Sequence, residues 1–337
     1  MNENLFVPEY KKLCPGVKKV YVVPSIDYSS PQTNYLYRLY EEFFRNNVTS
    51  DIEIESLSVF AHPKFLFSRL KNEQCILHYH WFEVTDVQSI LGMIWKLFWI
   101  LLYRIFGGKI IWTVHNKFPH DKKYLWLNKI NRIFFAQIAH RLHVHCKTAV
   151  KIMSPILNVQ QEKFFIVTLP EFPAIFMAKK DAREALTAKY PQIQIALDHK
   201  IFLMFGAIAE YKGIIETINI FKQWFSNKIL IIAGPVKRWD TNYFLEVMKG
   251  IKEANNIFVI PEVIPEDAVP LFMNSTDYAL FNYKGLLTSA SVALALSYKK
   301  YIIAPSIGCL TELQGDHCVL FAAGNNEELK NILLKLP

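Results

Sequence analysis

Short apolar runs of strand type, separated by helical stretches, recur along almost the whole of this 337-residue chain. Such alternation demands a parallel sheet covered by helices on both faces. In the first half the runs are 18–24 (KKVYVVP), 51–57, 74–81 (QCILHYHW), 109–115 (KIIWTVH), 141–146 and 163–169 (KFFIVTL). The segment 170–173 (PEFP) can continue neither a helix nor a central strand. Beyond it the pattern restarts, at 201–205, 229–233, 257–260, 278–281 and 301–304. The expectation is an α/β protein of two doubly wound domains, 1–172 and 173–337, facing each other across a cleft. Ligands of such sheets sit beyond the carboxyl ends of the strands.

Length and composition agree with two cores, since 337 residues with 52% apolar content exceed one ordinary domain. No short-period repeat is visible, and residues 1–16 lack the pattern of a secretory signal. The five cysteines (Cys14, Cys75, Cys146, Cys309, Cys318) are scattered and odd in number, which fits reduced thiols in a cytoplasmic protein better than a disulfide framework. Charge is uneven. Up to Phe172 there are 21 Lys and Arg against 14 Asp and Glu; the remainder has 17 against 16. A basic half beside a neutral one suggests an anionic partner, a nucleic acid or a membrane surface.

The loops after the second-half strands carry the strongest local signals. In FGAIAEYKG, residues 205–213, Gly206 permits a tight turn and close ligand approach. Lys212 stands where a helix begins, a position that already favours an anion. A solvated lysine in an ordinary strand-loop-helix joint is the plain alternative. Later, Thr288, Ser289, Ala290 and Ser291 lead into an apolar helix. Hydroxyl residues there cap the helix and leave N–H groups aimed outward. A simple N-cap is the bland reading; a second phosphate cradle opposite Lys212 is the sharper one, and together the two favour a diphosphate ligand.

With these motifs in view, the second half resembles the nucleotide-binding domain of glycosyltransferases with the GT-B fold, two Rossmann-like domains facing across a cleft. The large group similar to family four opens this domain with Gly-Arg, a gap and Lys-Gly; here Gly206-Ala207 and then Lys212-Gly213 stand at those positions. The stretch TSASVALALSYKKYIIAPSIGCLTE, ending in Glu312, is similar to the later small-residue turn, helix and glutamate pattern. The resemblance implies donor contacts from Gly206, Lys212, Gly234, Tyr283, Thr288, Ser289, Ala290, Ser291 and Glu312, with the base held near Val263. Two departures stand out. Ala207 replaces the usual arginine, and Lys284 and Val292 fall where retaining members carry two glutamates. The chain thus looks more like divergent bacterial capsule and exopolysaccharide glycosyltransferases, some of which invert.

In the first half, WTVHNKFPHD (112–121) resembles the histidine loop at the acceptor side of many such enzymes. An inverting transferase needs one base within reach of the attacking hydroxyl. The candidates, in order, are His115, Glu83 and Asp27, each at the end of a strand; His115 as a strand-end cap is the plain alternative. Asn116, His120 and Asp121 are candidate acceptor contacts, and the last two also suit a helix cap. The pairs His78/His80 and His143/His145 have spacings that a metal accepts, but they lie in separate strands without a carboxylate, and no Asp-x-Asp follows a strand. No metal and no cofactor beyond the nucleotide-sugar donor is expected. Dehydrogenase and Walker glycine motifs are missing too.

Residues 93–106 (MIWKLFWILLYRIF) read as too short and interrupted to span a bilayer. The centre suits a buried helix, the edges a membrane interface. Residues 117–132 are basic, with Tyr124 and Trp126, but show no nucleic-acid motif. The expected function is metal-independent transfer of a sugar from a nucleoside diphosphate to a hydroxyl of a lipid-linked glycan, in surface polysaccharide synthesis, at the inner face of the plasma membrane. The alternatives are a non-catalytic GT-B subunit that binds glycan or a partner, and a sugar-nucleotide epimerase of similar fold.

Overall fold

The computed structural model describes residues 6–44, 51–84, 86–117, 124–196, 198–224, 227–237, 240–313 and 315–336. The chain divides into two units between Pro170 and Glu171. That is two residues before the expected boundary, and Phe172 accordingly packs in the core of the second unit.

The first unit holds a six-stranded parallel sheet of β1 (Lys19–Val23), β2 (Glu53–Ser56), β3 (Cys75–Tyr79), β4 (Lys109–Thr113), β5 (Arg141–Val144) and β6 (Phe164–Ile166), in the order β2-β1-β3-β4-β5-β6. Its helices are α1 (Phe6–Leu13), α2 (Tyr35–Tyr40), α3 (Pro63–Leu70), α4 (Val87–Ile105), α5 (Leu125–Ile138) and α6 (Lys147–Leu157). Strand side chains alternate between faces. Val20, Val22, Ile76 and Ile111 pack under α1 and α2, while Tyr79 and Trp112 meet Phe135 of α5 on the other face. Helix α4 starts at a capping box in which Asp86 and Ser89 satisfy each other's backbone N–H.

The second unit holds β7 (Lys200–Phe205), β8 (Lys228–Ala233), β9 (Ile257–Ile260), β10 (Tyr278–Leu280), β11 (Tyr301–Pro305) and β12 (Cys318–Phe321), ordered β12-β11-β10-β7-β8-β9. Helices α7 (Lys179–Lys189), α8 (Ile214–Trp224), α9 (Thr241–Gly250), α10 (Val269–Ser275), α11 (Ala290–Ser297) and α12 (Asn326–Lys335) cover it. One face packs under α8, α9 and α12, the other under α7 and α10. Strand β12 and helix α1 were not anticipated from the sequence.

These strand orders fix where ligands can bind. Chain direction across a sheet reverses at β1/β3 in the first unit and at β7/β10 in the second. At such a switch point the following loops diverge and open a crevice beyond the strand ends. The loops after β7 and β10 carry Gly206, Lys212, Tyr283 and Ser289; those after β1, β3 and β4 carry Asp27, Glu83 and His115.

Candidate functional site

The second-unit crevice is built around Gly206. Its φ of +101° lies in the left-handed region, and a Cβ there would come within 2.6 Å of Ser291 Oγ and 2.8 Å of Lys212 Nζ. Only glycine leaves that space open, so the side chains of Lys212 and Ser291 both border the same gap above Gly206. Lys212 ends the short turn Glu210–Lys212, and Gly213 follows at φ +63°. Lys212 as a whole is 6% exposed. It donates to Phe205 O at 3.2 Å and lies 5.9 Å from the centre of the Tyr283 ring. Among the described residues no carboxylate pairs with it. Burial, and then the positive charge of Lys237, lower its pKa from 10.5 to about 7.

The far wall is the start of α11. Ser289 accepts from Val292 N, and its hydroxyl meets Tyr283 OH at 2.9 Å. The expected cap is present, and Ser291 is turned to the cradle. Thr288 Oγ1 is buried without a hydrogen-bond partner, an orphan of the kind a ligand satisfies. Gly234 belongs to the scaffold: a Cβ there would strike Gly206 O at 2.4 Å, so it lets the loops after β7 and β8 run close together. Val263 is 73% exposed on the loop after β9. Glu312 ends the turn Gly308–Glu312, whose Leu310 packs in the cluster that includes Tyr283 and Tyr211.

The two aligned positions that lack carboxylates are accounted for. Val292 is buried in the core of α11. Lys284 pairs with Glu216 at 2.7 Å, and the second oxygen of Glu216 is buried without a partner. Sequence reasoning missed Glu216 and Lys237. The available signal for Lys237 was a basic pair, Lys237-Arg238, in the loop after a strand; Arg238 lies outside the described residues.

In the first unit His115 belongs to a lattice of rings that the sequence did not disclose. Val167 O accepts from His143 Nε2 at 3.0 Å and from His145 Nδ1 at 2.8 Å, so those nitrogens carry hydrogens. Burial keeps every ring uncharged, pushing His78, His80, His115 and His143 well below their usual pKa and His145 to about 4. The remaining nitrogens then accept: His143 Nδ1 from Thr113 Oγ1 (2.9 Å) and His145 Nε2 from Tyr35 OH (2.7 Å). Thr113 in turn accepts from His78 Nε2 at 2.8 Å, and Tyr10 and Tyr40 approach His78 Nδ1. Tyr40 also meets His80 Nε2 at 2.8 Å, and His80 Nδ1 meets His115 Nε2 at 3.0 Å. His115 stacks on Trp81 with ring centres 4.5 Å apart. Its Nδ1 is the nitrogen outside this chain of bonds. Among the described residues no group of three or more His, Cys, Asp and Glu is placed to hold a metal ion.

Glu83 is engaged otherwise. Arg132, 4% exposed, reaches its carboxylate at 3.4 Å and donates to Asn116 O. Burial raises the Glu83 pKa, while Arg132 and the Asn116 side chain pull it back. Arg132 is therefore a core cation, a correction to its reading as part of a basic surface. Asp27 is exposed, and its carboxylate accepts from both the N–H and the hydroxyl of Ser29, which lowers its pKa. His120 and Asp121 lie outside the described residues.

No protein-family model and no curated relative matches the sequence. Solved structures do match in fold. Anabaena Alr3699/HepE in complex with UDP and glucose superposes with a TM-score of 0.66 at 12% identity, over 94% of this chain and 89% of that one. Sucrose-phosphate synthase from Thermosynechococcus elongatus gives 0.68 at 11%, over 94% and 89%. A glycosyltransferase from Rickettsia africae gives 0.63 at 12%, over 95% and 87%. At these identities the likeness is one of fold: the chain has the two-unit, Rossmann-like GT-B fold.

Proposed function

We propose that this protein is a glycosyltransferase that moves a sugar from a nucleoside diphosphate sugar to a hydroxyl of a lipid-linked glycan, without a metal, in surface polysaccharide synthesis. The observation that carries the reading is Lys212, a buried amine with no carboxylate partner among the described residues, close to Ser291 at a glycine on a sheet switch point. A cation held out of water without a counter-charge costs stability. A bound diphosphate removes that cost. The fold neighbours in complex with UDP and with UDP-glucose support the same choice of donor.

In the reaction the acceptor oxygen forms a bond to the anomeric carbon while the bond from that carbon to the phosphate oxygen breaks. The electron pair leaves with the diphosphate. Lys212, the nearby charge of Lys237 and the free N–H groups of α11 meet the developing charge, the role a metal has elsewhere. The hydroxyl proton goes to His115 Nδ1, whose ring is fixed by Trp81 and His80. With Val292 buried and Lys284 engaged by Glu216, neither aligned position supplies the retaining carboxylate, so the anomeric centre inverts.

A second reading, a non-catalytic GT-B subunit, is favoured by those same two positions. One experiment separates the two: a melting-curve panel of UDP, GDP, ADP and CMP sugars without metal, followed by transfer assays with the best donor. A diphosphate sugar that raises the melting temperature and is consumed supports the enzyme. Stabilisation without transfer to any lipid-linked acceptor supports the subunit, and no stabilisation overturns the cradle.

A further inference from the structure

Helix α4 is apolar on two sides. Met93, Ile100 and Tyr103 are buried, and Tyr103 OH donates to Cys75 O at 2.8 Å, tying the helix to β3. On the opposite side Leu91, Ile94, Trp95, Phe98 and Ile105 recur at helical spacing and are turned to solvent, Phe98 at 53%. A surface helix of a water-soluble domain places polar groups on that side. The centre expected to be buried is thus largely open: 17% of the stretch Gln88–Ile105 is buried, and by length and composition it is sufficient to cross a membrane, longer than the segment read from the sequence.

The apolar stripe continues onto both neighbours. Helix α3 packs along α4 and exposes Phe67 and Leu70. On α5, Trp126 (69% exposed), Ile130 and Phe134 repeat every fourth residue, and Arg104 Nε joins α4 to Ile138 O at 3.2 Å. A contiguous exposed apolar face of this kind marks an interaction site.

Charge selects the partner. The sequences of α3, α4 and α5 contain no Asp or Glu, but do contain Lys64, Arg69, Lys96, Arg104, Lys129 and Arg132. Arg132 is buried and Lys64 pairs with Glu55; Arg69, Lys96, Arg104 and Lys129 are the cations set among the apolar residues of these helices. Trp beside Lys and Arg, around an aliphatic centre, matches the layering of a bilayer surface: acyl chain, interface, anionic headgroup. Topology selects the mode. Strands β3 and β4 are parallel, hydrogen-bonded neighbours, so α4 must run back along the sheet between them and is held there through Ile100 and Tyr103. It lies flat and does not span.

We propose that α3, α4 and α5 form a membrane-seating face, which docks the first unit on an anionic bilayer with the outer stripe of α4 in the interfacial layer. The inference uses none of the donor-site chemistry and can fail or hold independently of it.

The test is flotation of the full chain with vesicles of phosphatidylglycerol and phosphatidylethanolamine, or of phosphatidylcholine alone. Expected is binding to the anionic vesicles that weakens between low salt and about 0.5 M salt as headgroup attraction is screened. The combined substitutions Ile94→Gln, Phe98→Gln and Trp126→Gln should lower it at least tenfold with an unchanged melting curve, since each removes an interfacial apolar contact. Lys129→Gln should lower it about fivefold, the contribution of one cation at an anionic surface. Quenching of wild-type tryptophan fluorescence by brominated acyl chains provides a readout that needs no variant. Absence of both flotation and quenching at low salt overturns the proposal. So does a wild-type dimer, seen by sedimentation, that the triple substitution dissociates without any vesicle binding; the face is then a contact between copies.

Discussion

The two crevices at the sheet switch points are opposite solutions to burying polar groups. In the first unit five histidine rings lie within hydrogen-bonded order, each stabilised in its neutral form and nearly every nitrogen matched to a partner. In the second, the Lys212 amine is buried near another cation, and the hydroxyl of Thr288, just before α11, is buried without a partner. A satisfied network specifies a core; an unsatisfied one marks where something is missing. The contrast teaches that the unsatisfied polar groups lie in the second unit, at Lys212 and Thr288, where the proposed donor would bind. The concentration of histidine, eight of ten residues within the first 170, is mostly architecture, with a single outlet at His115 Nδ1.

Removing that outlet should give the largest effect. His115→Ala should lower kcat by about 10²–10⁴-fold, the span of a general base, with donor affinity unchanged in titration of the sugar nucleotide. An equal loss for His143→Ala in a folded protein would erase the distinction between outlet and architecture.

Lys212→Met tests the other crevice. Turnover should fall by about 10²–10³-fold and donor affinity with it, while the ligand-free protein becomes more stable by ~1–3 kcal/mol because an unpaired buried amine is gone. A loss of stability measured by denaturant melting would show that the cradle is not frustrated.

Acid should separate the units. The lattice rings have folded pKa values depressed below the ordinary 6.5, so below that pH the unfolded chain binds protons that the folded one refuses. Stability is present above pH 6.5 and is lost as pH falls toward 4, by up to about 1.4 kcal/mol per pH unit for each ring. The first unit should therefore melt earlier at pH 5 than at pH 7.5, with a smaller change in the second, readable by hydrogen exchange. Equal sensitivity of both units would contradict the lattice.

Smaller effects rank the two carboxylates. Glu83→Gln leaves Arg132 without its anion and should cost about 2 kcal/mol of stability, with kcat reduced less than by His115→Ala. Asp27→Asn, at an exposed turn, should change kcat by less than about threefold.

Much of this was legible in the sequence, because local pattern carries it. Eleven strands followed from apolar runs, and the closeness of Lys212 and Ser291 at Gly206 from the loop residues after β7 and before α11. What escaped depends on distant partners. Strand β12 is four residues long, at the sheet edge and only partly buried, so its pattern resembled a loop. The alternation His78-Tyr79-His80 shows that two rings share a face, but not that Tyr10 and Tyr40 lie over them. Arg132 looked like surface charge because its burial is decided by Glu83 and Asn116, 49 and 16 residues away. The outer face of α4 could not be told from its inner one by periodicity, since both are apolar.

The most direct test of the frustrated cradle is proton counting. A sugar nucleotide that binds should be titrated calorimetrically at pH 8 in buffers of different ionisation enthalpy. Empty, Lys212 has a pKa of about 7 and is mostly neutral at that pH; beside a diphosphate its charged form is favoured again. Binding should take up close to one proton per donor, affinity should fall by up to about tenfold per pH unit above 7, and Lys212→Met should abolish the uptake. Tight binding with no proton uptake in the wild type, or the same uptake in Lys212→Met, would contradict the account.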